Sequence, residues 1–216
     1  MIEGLIFDLD GVLVFTDEFH YEGWKKLADG LGLPFDRTKN NLLRGVSRMA
    51  SLEILLGDRS QSYSQGEKEA FATEKNGYYK ELLETMKPSD VPDETRCVLE
   101  RLHENGIKLS VGSSSRNASF ILDKVGLRKY FDAVSDGNNI TKSKPDPEVF
   151  LKAAQFLELA PSVCAVVEDA DSGILAAKAG GFTAIGIGDG ITTASADYRI
   201  QFLAELYSLI DGINGK

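Results

Sequence analysis

Near the start of the chain an apolar run, Leu5-Ile6-Phe7, drives directly into Asp8-Leu9-Asp10-Gly11, and no other stretch restricts the fold as much. Strand side chains alternate between two faces, so Asp8 and Asp10 are expected to leave a strand on one side with Leu9 turned away. Two carboxylates so close repel each other and cost desolvation unless a cation or a proton is shared. Gly11 lets the backbone turn sharply and approach a ligand closely. An open α/β sheet places its ligand at the carboxyl ends of its buried strands. On this stretch alone two readings stand: a strand ending in an acidic turn, or a magnesium-assisted phosphoryl-transfer site with an aspartate nucleophile. The partners must come from the rest of the chain.

After Val12-Leu13-Val14-Phe15 the pattern becomes helical. Thr16 suits an N-cap, with Asp17 and Glu18 in the first turn; His20, Trp24, Leu27, Ala28 and Leu31 follow at helical spacing, and Gly32 closes the helix. Further helices are expected over Arg37 to Leu43, Ser47 to Leu56 and Ser64 to Met86. Pro34, Gly45 and the polar stretch Gly57 to Ser62 separate them. Pro88-Ser89-Asp90-Val91-Pro92 is expected to be an extended linker. Beyond it helices and strands alternate. Helices are expected over 94–105, 117–126, 147–157, 172–179 and 202–210, and strands over 107–111, 133–134, 164–167 and 183–187. This alternation implies right-handed crossovers and a parallel sheet covered on both faces. The opening strand belongs to that sheet, which makes residues 15–88 an all-helical insertion. The expected domains are 1–14 with 89–216, and 15–88.

The net charge of −9 disfavours a general nucleic-acid surface. Cys97 and Cys164 are too few for a disulfide framework, and their apolar neighbours suggest buried free thiols in a reducing compartment. No apolar run approaches membrane-spanning length, and the N-terminus enters an expected strand at once, so no signal peptide is expected and a cytoplasmic location is.

Three later stretches follow expected strands and so belong at the same end of the sheet as Asp8. Ser113-Ser114-Ser115-Arg116-Asn117 offers hydroxyls and N–H groups opening a helix, either an anion site or a polar loop with a helix cap. Lys142-Ser143-Lys144-Pro145 holds a lysine on a stiff loop, placed to neutralise phosphate or simply solvated before a proline-initiated helix. Glu168 and Asp169 follow a Val-rich strand, where oxygen ligands can complete a Mg²⁺ site, while Asp171 suits the helix N-cap.

This ordered set resembles the haloacid dehalogenase superfamily over essentially the whole chain. Further features narrow the resemblance to that superfamily's β-phosphoglucomutase branch: Thr16…His20…Trp24, Gly45-Val46-Ser47-Arg48 with Ser51, Lys75-Asn76, and Ser113 to Asn117. The resemblance implies a doubly wound, Rossmann-like α/β core with an inserted helical cap. It also implies Asp8 as the nucleophile that becomes an aspartyl phosphate and Asp10 as general acid/base, with its backbone carbonyl on one Mg²⁺ per chain. Glu168 and Asp169 would complete the metal site, Asp169 as the direct ligand, and Ser113 and Lys144 would hold the transferring phosphoryl group. Arg48 would take the substrate's other phosphate from the cap, with Ser115, Arg116 and Asn117 reaching it from the core. Thr16, His20, Trp24, Gly45, Val46, Ser47, Ser51, Lys75 and Asn76 would line the cleft. A monomer acting on a small sugar phosphate, with no nucleic acid and no membrane, is implied. Phe15 departs from the acidic residue usual at the cap hinge, and Arg116 stands where Lys is common. Taken without the resemblance, His20 and Trp24 read as core and Lys75 and Asn76 as a solvated helix face. The rival activities are a Mg²⁺-dependent sugar phosphatase and a non-catalytic sugar-phosphate binding module.

Overall fold

The computed structural model describes residues 1–43 and 46–215. The chain divides into two compact units, Met1–Phe15 with Lys87–Lys216, and Thr16–Met86.

In the first unit, β1 (Gly4–Phe7), β2 (Lys108–Gly112), β3 (Ala133–Ser135), β4 (Cys164–Glu168), β5 (Thr183–Ile187) and β6 (Tyr198–Ile200) form a sheet in the order β3-β2-β1-β4-β5-β6. Every pairing is parallel. The strand order reverses at β1, which lies between β2 and β4, and such a reversal opens a crevice at the carboxyl ends of the strands. Both faces of this strand are covered, which is why β1 carries no polar residue: Leu5, Ile6 and Phe7 are all fully buried. Ile6 joins Val166 and Ala184 in a core cluster with Val149, Phe150 and Ala153 of α7 (Glu148–Phe156) and Ile174 and Ala177 of α8 (Asp171–Ala179). Two other helices, α5 (Asp93–Glu104) and α9 (Glu205–Asn214), pack on one another, and α5 also packs on β2. A short helix, α6 (Ala118–Lys124), follows β2. The architecture is a doubly wound parallel sheet with flanking helices.

The second unit holds α1 (Asp17–Gly30), α2 (Arg37–Asn41), α3 (Arg48–Leu56) and α4 (Gln65–Leu83), with no strand among its described residues. Trp24, Leu27 and Ala28 of α1 meet Leu52, Leu55 and Leu56 of α3 and Ala72 of α4 in its core. Ser64 and Glu67 close a reciprocal capping box that starts α4. Ser47 caps α3 through Ala50 N. Among the described residues no helix is long and apolar enough to cross a membrane.

Several expectations are corrected. Cys97 is exposed, because α5 buries Thr95, Val98, Leu99 and Leu102 and turns Cys97 outward; Cys164 is buried, which pushes its thiol up to about 11. The linker forms a 3-10 turn over Pro88–Asp90, closed by Lys87 N donating to Asp90 Oδ2 at 2.9 Å, rather than running extended throughout. The strand Tyr198–Ile200 was not expected, since a three-residue edge strand with a central Arg carries no apolar run. The last helix begins at Glu205, not Phe202, because the Glu205 carboxylate accepts from Gln201 N and Phe202 N and holds those residues ahead of it. Ala170, not Asp171, occupies the cap position of α8. Thr16 takes the N-cap position of α1 without a side-chain capping bond, its hydroxyl instead accepting from Tyr79 Oη at 3.1 Å.

Candidate active site

Strand β1 ends at Phe7, so Asp8 and Asp10 lie just past it rather than alternating within it. Asp8 N donates to Val167 O at 2.9 Å, extending the ladder to β4 by one residue. Phe7 pairs with Val167, so the next residues on the two strands, Asp8 and Glu168, emerge side by side. Beyond Asp8 the chain folds back: Gly11, with φ +89°, donates to Val14 O at 2.7 Å, and Asp10 bridges to Val14.

Lys144 reaches this point from the loop after β3. Its Nζ donates to Asp8 Oδ1 at 2.5 Å and to Glu168 Oε1 at 2.6 Å. All three residues are buried, at 8%, 6% and 2% exposed respectively. Glu148 at the start of α7 steadies the loop, its Oε2 accepting from Thr141 N at 2.8 Å and Lys142 N at 2.7 Å. Burial works to lower the Lys144 pKa, but Asp8 and Glu168 outweigh it and hold the ammonium above its usual value. Glu168 is raised, first by burial and then by Asp8 and Asp169, against the opposing pull of Lys144. One ammonium does not offset three carboxylates.

Asp8, Glu168 and Asp169 can each offer an oxygen within 4.8 Å of the others, an all-oxygen set that suits a hard divalent cation. Both Glu168 oxygens also accept hydrogen bonds, from Lys144 and from Ala170 N at 2.7 Å. The Asp169 carboxylate packs so tightly on Gly11 that a Cβ there would lie 2.1 Å from its Oδ2. Glu168 has the same relation to Gly173, where a Cβ would lie 1.9 Å from Oε1.

Ser113 N donates to Ser135 O at 3.0 Å, anchoring the serine loop to β3. Ser113 Oγ accepts from Ser115 N at 3.1 Å, and Ser115 Oγ from Asn117 N at 3.2 Å, local turns of the kind short hydroxyl residues favour. Ser113 and Asn117 are buried and Arg116 is exposed. Ser114 Oγ is buried with no hydrogen-bond partner among the described residues. Two residues not expected from the sequence support this loop: Gly137 N donates to Ser115 O at 3.1 Å, and Asn138 Nδ2 donates to Arg116 O at 3.0 Å, while Asp136 Oδ1 accepts from Asn138 N at 2.9 Å.

The helical unit gathers a second group of the expected residues. Lys75 is buried, not solvated, with Nζ 2.9 Å from His20 Nδ1. It also lies over two rings, 4.9 Å from the Trp24 centroid and 4.6 Å from that of Tyr79. His20 stacks on Tyr79 with centroids 4.1 Å apart. Burial, then Lys75, then Arg48 hold the His20 pKa well below its usual value. An ammonium only donates, so Nδ1 must accept and the imidazole proton sits on Nε2. Trp24 is core. Tyr79, one turn after Lys75 on α4, and Gly23, which leaves room for the Lys75 stem, were missed; the i, i+4 spacing from Lys75 was the available signal for Tyr79. Val46, Ser47 and Arg48 lie half-buried at the start of α3, with Ser51 buried one turn on and Asn76 half-buried on α4. Gly45 lies outside the described residues.

A model of the haloacid dehalogenase-like hydrolase family matches residues 2–181, and the chain belongs to that family. It is similar to the β-phosphoglucomutase of Bacillus subtilis strain 168, at 38% identity over 207 residues covering 95% of this chain and 92% of that one. It is also similar to the phosphorylated carbohydrates phosphatase of Thermotoga maritima, at 32% identity over 187 residues covering 85% of this chain and 84% of that one. Among solved structures, the β-phosphoglucomutase of Clostridium difficile superposes with a TM-score of 0.93 at 34% identity, covering 100% of this chain and 98% of that one.

Proposed function

We propose that the chain interconverts β-D-glucose 1-phosphate and glucose 6-phosphate through β-glucose 1,6-bisphosphate, with Asp8 carrying the phosphoryl group between turnovers. The observation that supports this best is the buried Lys144–Asp8–Glu168 cluster, in a chain whose 38% match to the Bacillus mutase runs over 95% of its length. In this reading an Asp8 carboxylate oxygen bonds to phosphorus as the bond from phosphorus to the sugar oxygen breaks. Asp10 gives a proton to the departing oxygen, and takes one from the hydroxyl that later recovers the phosphoryl group. Lys144 and Ser113 hold the group in transit. Asp8, Asp169 and the Asp10 carbonyl would hold one Mg²⁺, with Glu168 keeping Lys144 in place; when bound, the cation offsets negative charge on the phosphoryl oxygens. Residues 15–88 act as the cap that keeps water from the aspartyl phosphate. Arg48 and Arg116, with Ser115 and Asn117, supply the site for the second phosphate, and His20, Lys75 and Asn76 meet the sugar. The substrate is a small molecule and the working unit a monomer.

The Thermotoga relative favours a second reading, hydrolysis of a sugar phosphate on the same core. Product analysis separates them: β-glucose 1-phosphate is supplied with Mg²⁺ and a trace of bisphosphate. The mutase gives glucose 6-phosphate with little free phosphate, and Arg48→Ala collapses that turnover. Free phosphate released as fast as substrate disappears establishes the phosphatase. Unchanged turnover in Asp10→Asn removes the assigned acid/base.

A further inference from the structure

Asp171 and the segment joining β5 to β6 have no role in the chemistry above, yet that segment is tied to Asp171 and to Arg199. Asp171 Oδ1 accepts from Thr192 N at 2.8 Å and from Thr193 N at 2.9 Å, and its Oδ2 accepts from the Thr192 hydroxyl. Arg199 of β6 also donates to Ile191 O at 2.7 Å and to Thr193 O at 2.6 Å. Residues 191–193 have no regular structure of their own, so these side chains fix their path. That path brings Gly190 against Asp169: a Cβ on Gly190 would lie 2.4 Å from the Asp169 carbonyl oxygen. Gly190 does not adopt a positive φ, so space rather than backbone conformation excludes a side chain there. On its other side the Asp169 carboxylate meets Gly11. Asp169 is thus held between two backbone segments, one of them kept in place by Asp171 and Arg199.

We propose that Asp171 and Arg199 are positioning residues for Asp169, drawing residues 190–193 against the acidic loop so that the Asp169 carboxylate is set to receive a divalent cation. The inference rests on the metal reading given above. Groups that orient a ligand in this way commonly change metal affinity tenfold or more when removed.

The test is Mn²⁺ binding to the full chain without substrate, followed by the electron paramagnetic resonance of free Mn²⁺, with Tm measured separately in EDTA. Asp171→Ala is expected to weaken Mn²⁺ binding by about tenfold. Asp171→Asn keeps an oxygen for both N–H groups and an amide for the Thr192 hydroxyl, and is expected to bind Mn²⁺ like the unsubstituted chain. Gly190→Ala pushes the segment off Asp169 while leaving Asp171 intact, and is expected to weaken binding as Asp171→Ala does; it also carries the test if Asp171→Ala fails to fold. Lower Tm with unchanged Mn²⁺ affinity in Asp171→Ala and Gly190→Ala would overturn the proposal, since a purely structural tie behaves that way. Equal weakening in Asp171→Asn and Asp171→Ala would also overturn it, because charge and not the hydrogen-bonded path would then matter. Failure of the unsubstituted chain to bind Mn²⁺ would overturn the metal reading itself, and is told apart because it is seen before any substitution.

Discussion

Lys144 in the α/β unit and Lys75 in the helical unit are both buried, at 8% and 3% exposed, yet different chemistry surrounds them. Lys144 sits between the carboxylates of Asp8 and Glu168, which two neighbouring parallel strands deliver to one point. Lys75 meets a neutral imidazole nitrogen and the faces of an indole and a phenol, all carried by two packed helices. The first environment is ionic and would be left with stranded charges if its lysine were removed. The second is aromatic and holds its cation by weaker, softer contacts. The same side chain therefore serves as an electrostatic keystone in one unit and as part of a stacked aromatic group in the other.

Replacing each lysine by methionine, which keeps most of the apolar stem, gives the largest contrast. Lys144→Met leaves Asp8 and Glu168 buried without their cation, and a loss of about 3–5 kcal/mol in folding free energy is expected from denaturant titration. On the proposed mechanism its turnover is expected to fall by about a hundredfold to a thousandfold, because a charge-stabilising donor at the phosphoryl group would be lost. Lys75→Met gives up its bond to His20 and its contacts with the rings, a cost of about 1–2 kcal/mol. Equal losses in the two variants would break the comparison.

Each lysine environment also has a glycine against it. In Gly173→Ala the new Cβ would stand 1.9 Å from Glu168 Oε1, and Glu168 is pinned by Lys144 and Ala170 N, so the carboxylate has no free direction in which to retreat. A loss of about 1–3 kcal/mol is expected, the usual range for overpacking. In Gly23→Ala the Cβ would stand 3.2 Å from Lys75 Cε, a flexible stem, and the helix gains propensity of about 1 kcal/mol. Its Tm is expected to stay level or rise slightly. A lowered Tm in Gly23→Ala comparable to that in Gly173→Ala would show the Lys75 group to be as rigid as the Lys144 group.

The same contrast explains what could be read before the structure was known. Asp8, Lys144, Glu168 and Asp169 lie at the ends of strands or in the loops that leave them, and parallel strands bring their carboxyl ends together whatever the packing details. The strand-and-helix alternation therefore located that cluster as well as the sheet. The surroundings of Lys75 come from the rotation of α4 against α1, which charge-rich helical sequence does not specify; Lys75 read as solvated, and Tyr79 was not noticed. The glycines at 173 and 190 were silent for a related reason, since each is required by close contact with the Glu168 carboxylate or the Asp169 carbonyl rather than by a positive φ of its own. Cys97 and the strand Tyr198–Ile200 were misread where sequence neighbours were apolar but the face was not, or where an edge strand needed only one partner.

The smallest effect, and the one most specific to the helical unit, is a pH dependence carried by His20. In the folded chain burial, with Lys75 and Arg48 nearby, keeps the imidazole neutral to well below the usual pH. Below about pH 6.5 the unfolded chain takes up a proton at this position that the folded chain refuses, so the folded state loses stability as pH falls. The slope is at most about 1.4 kcal/mol per pH unit and continues until the depressed folded pKa is reached. Glu168 has the opposite sign, because its raised folded pKa adds stability at low pH that is lost as pH rises. The two slopes oppose one another, so the intact protein alone does not resolve them. His20→Gln separates them: glutamine offers Lys75 an oxygen and does not titrate, while Glu168 is unchanged and cancels in the comparison. The stability of the unsubstituted chain relative to His20→Gln is expected to fall between about pH 7.5 and pH 5. A constant difference across that range would mean that His20 takes up its proton in the folded chain as readily as in the unfolded one. Lys75 would then have to leave Nδ1 when the imidazole charged, and the aromatic setting drawn for it would not hold.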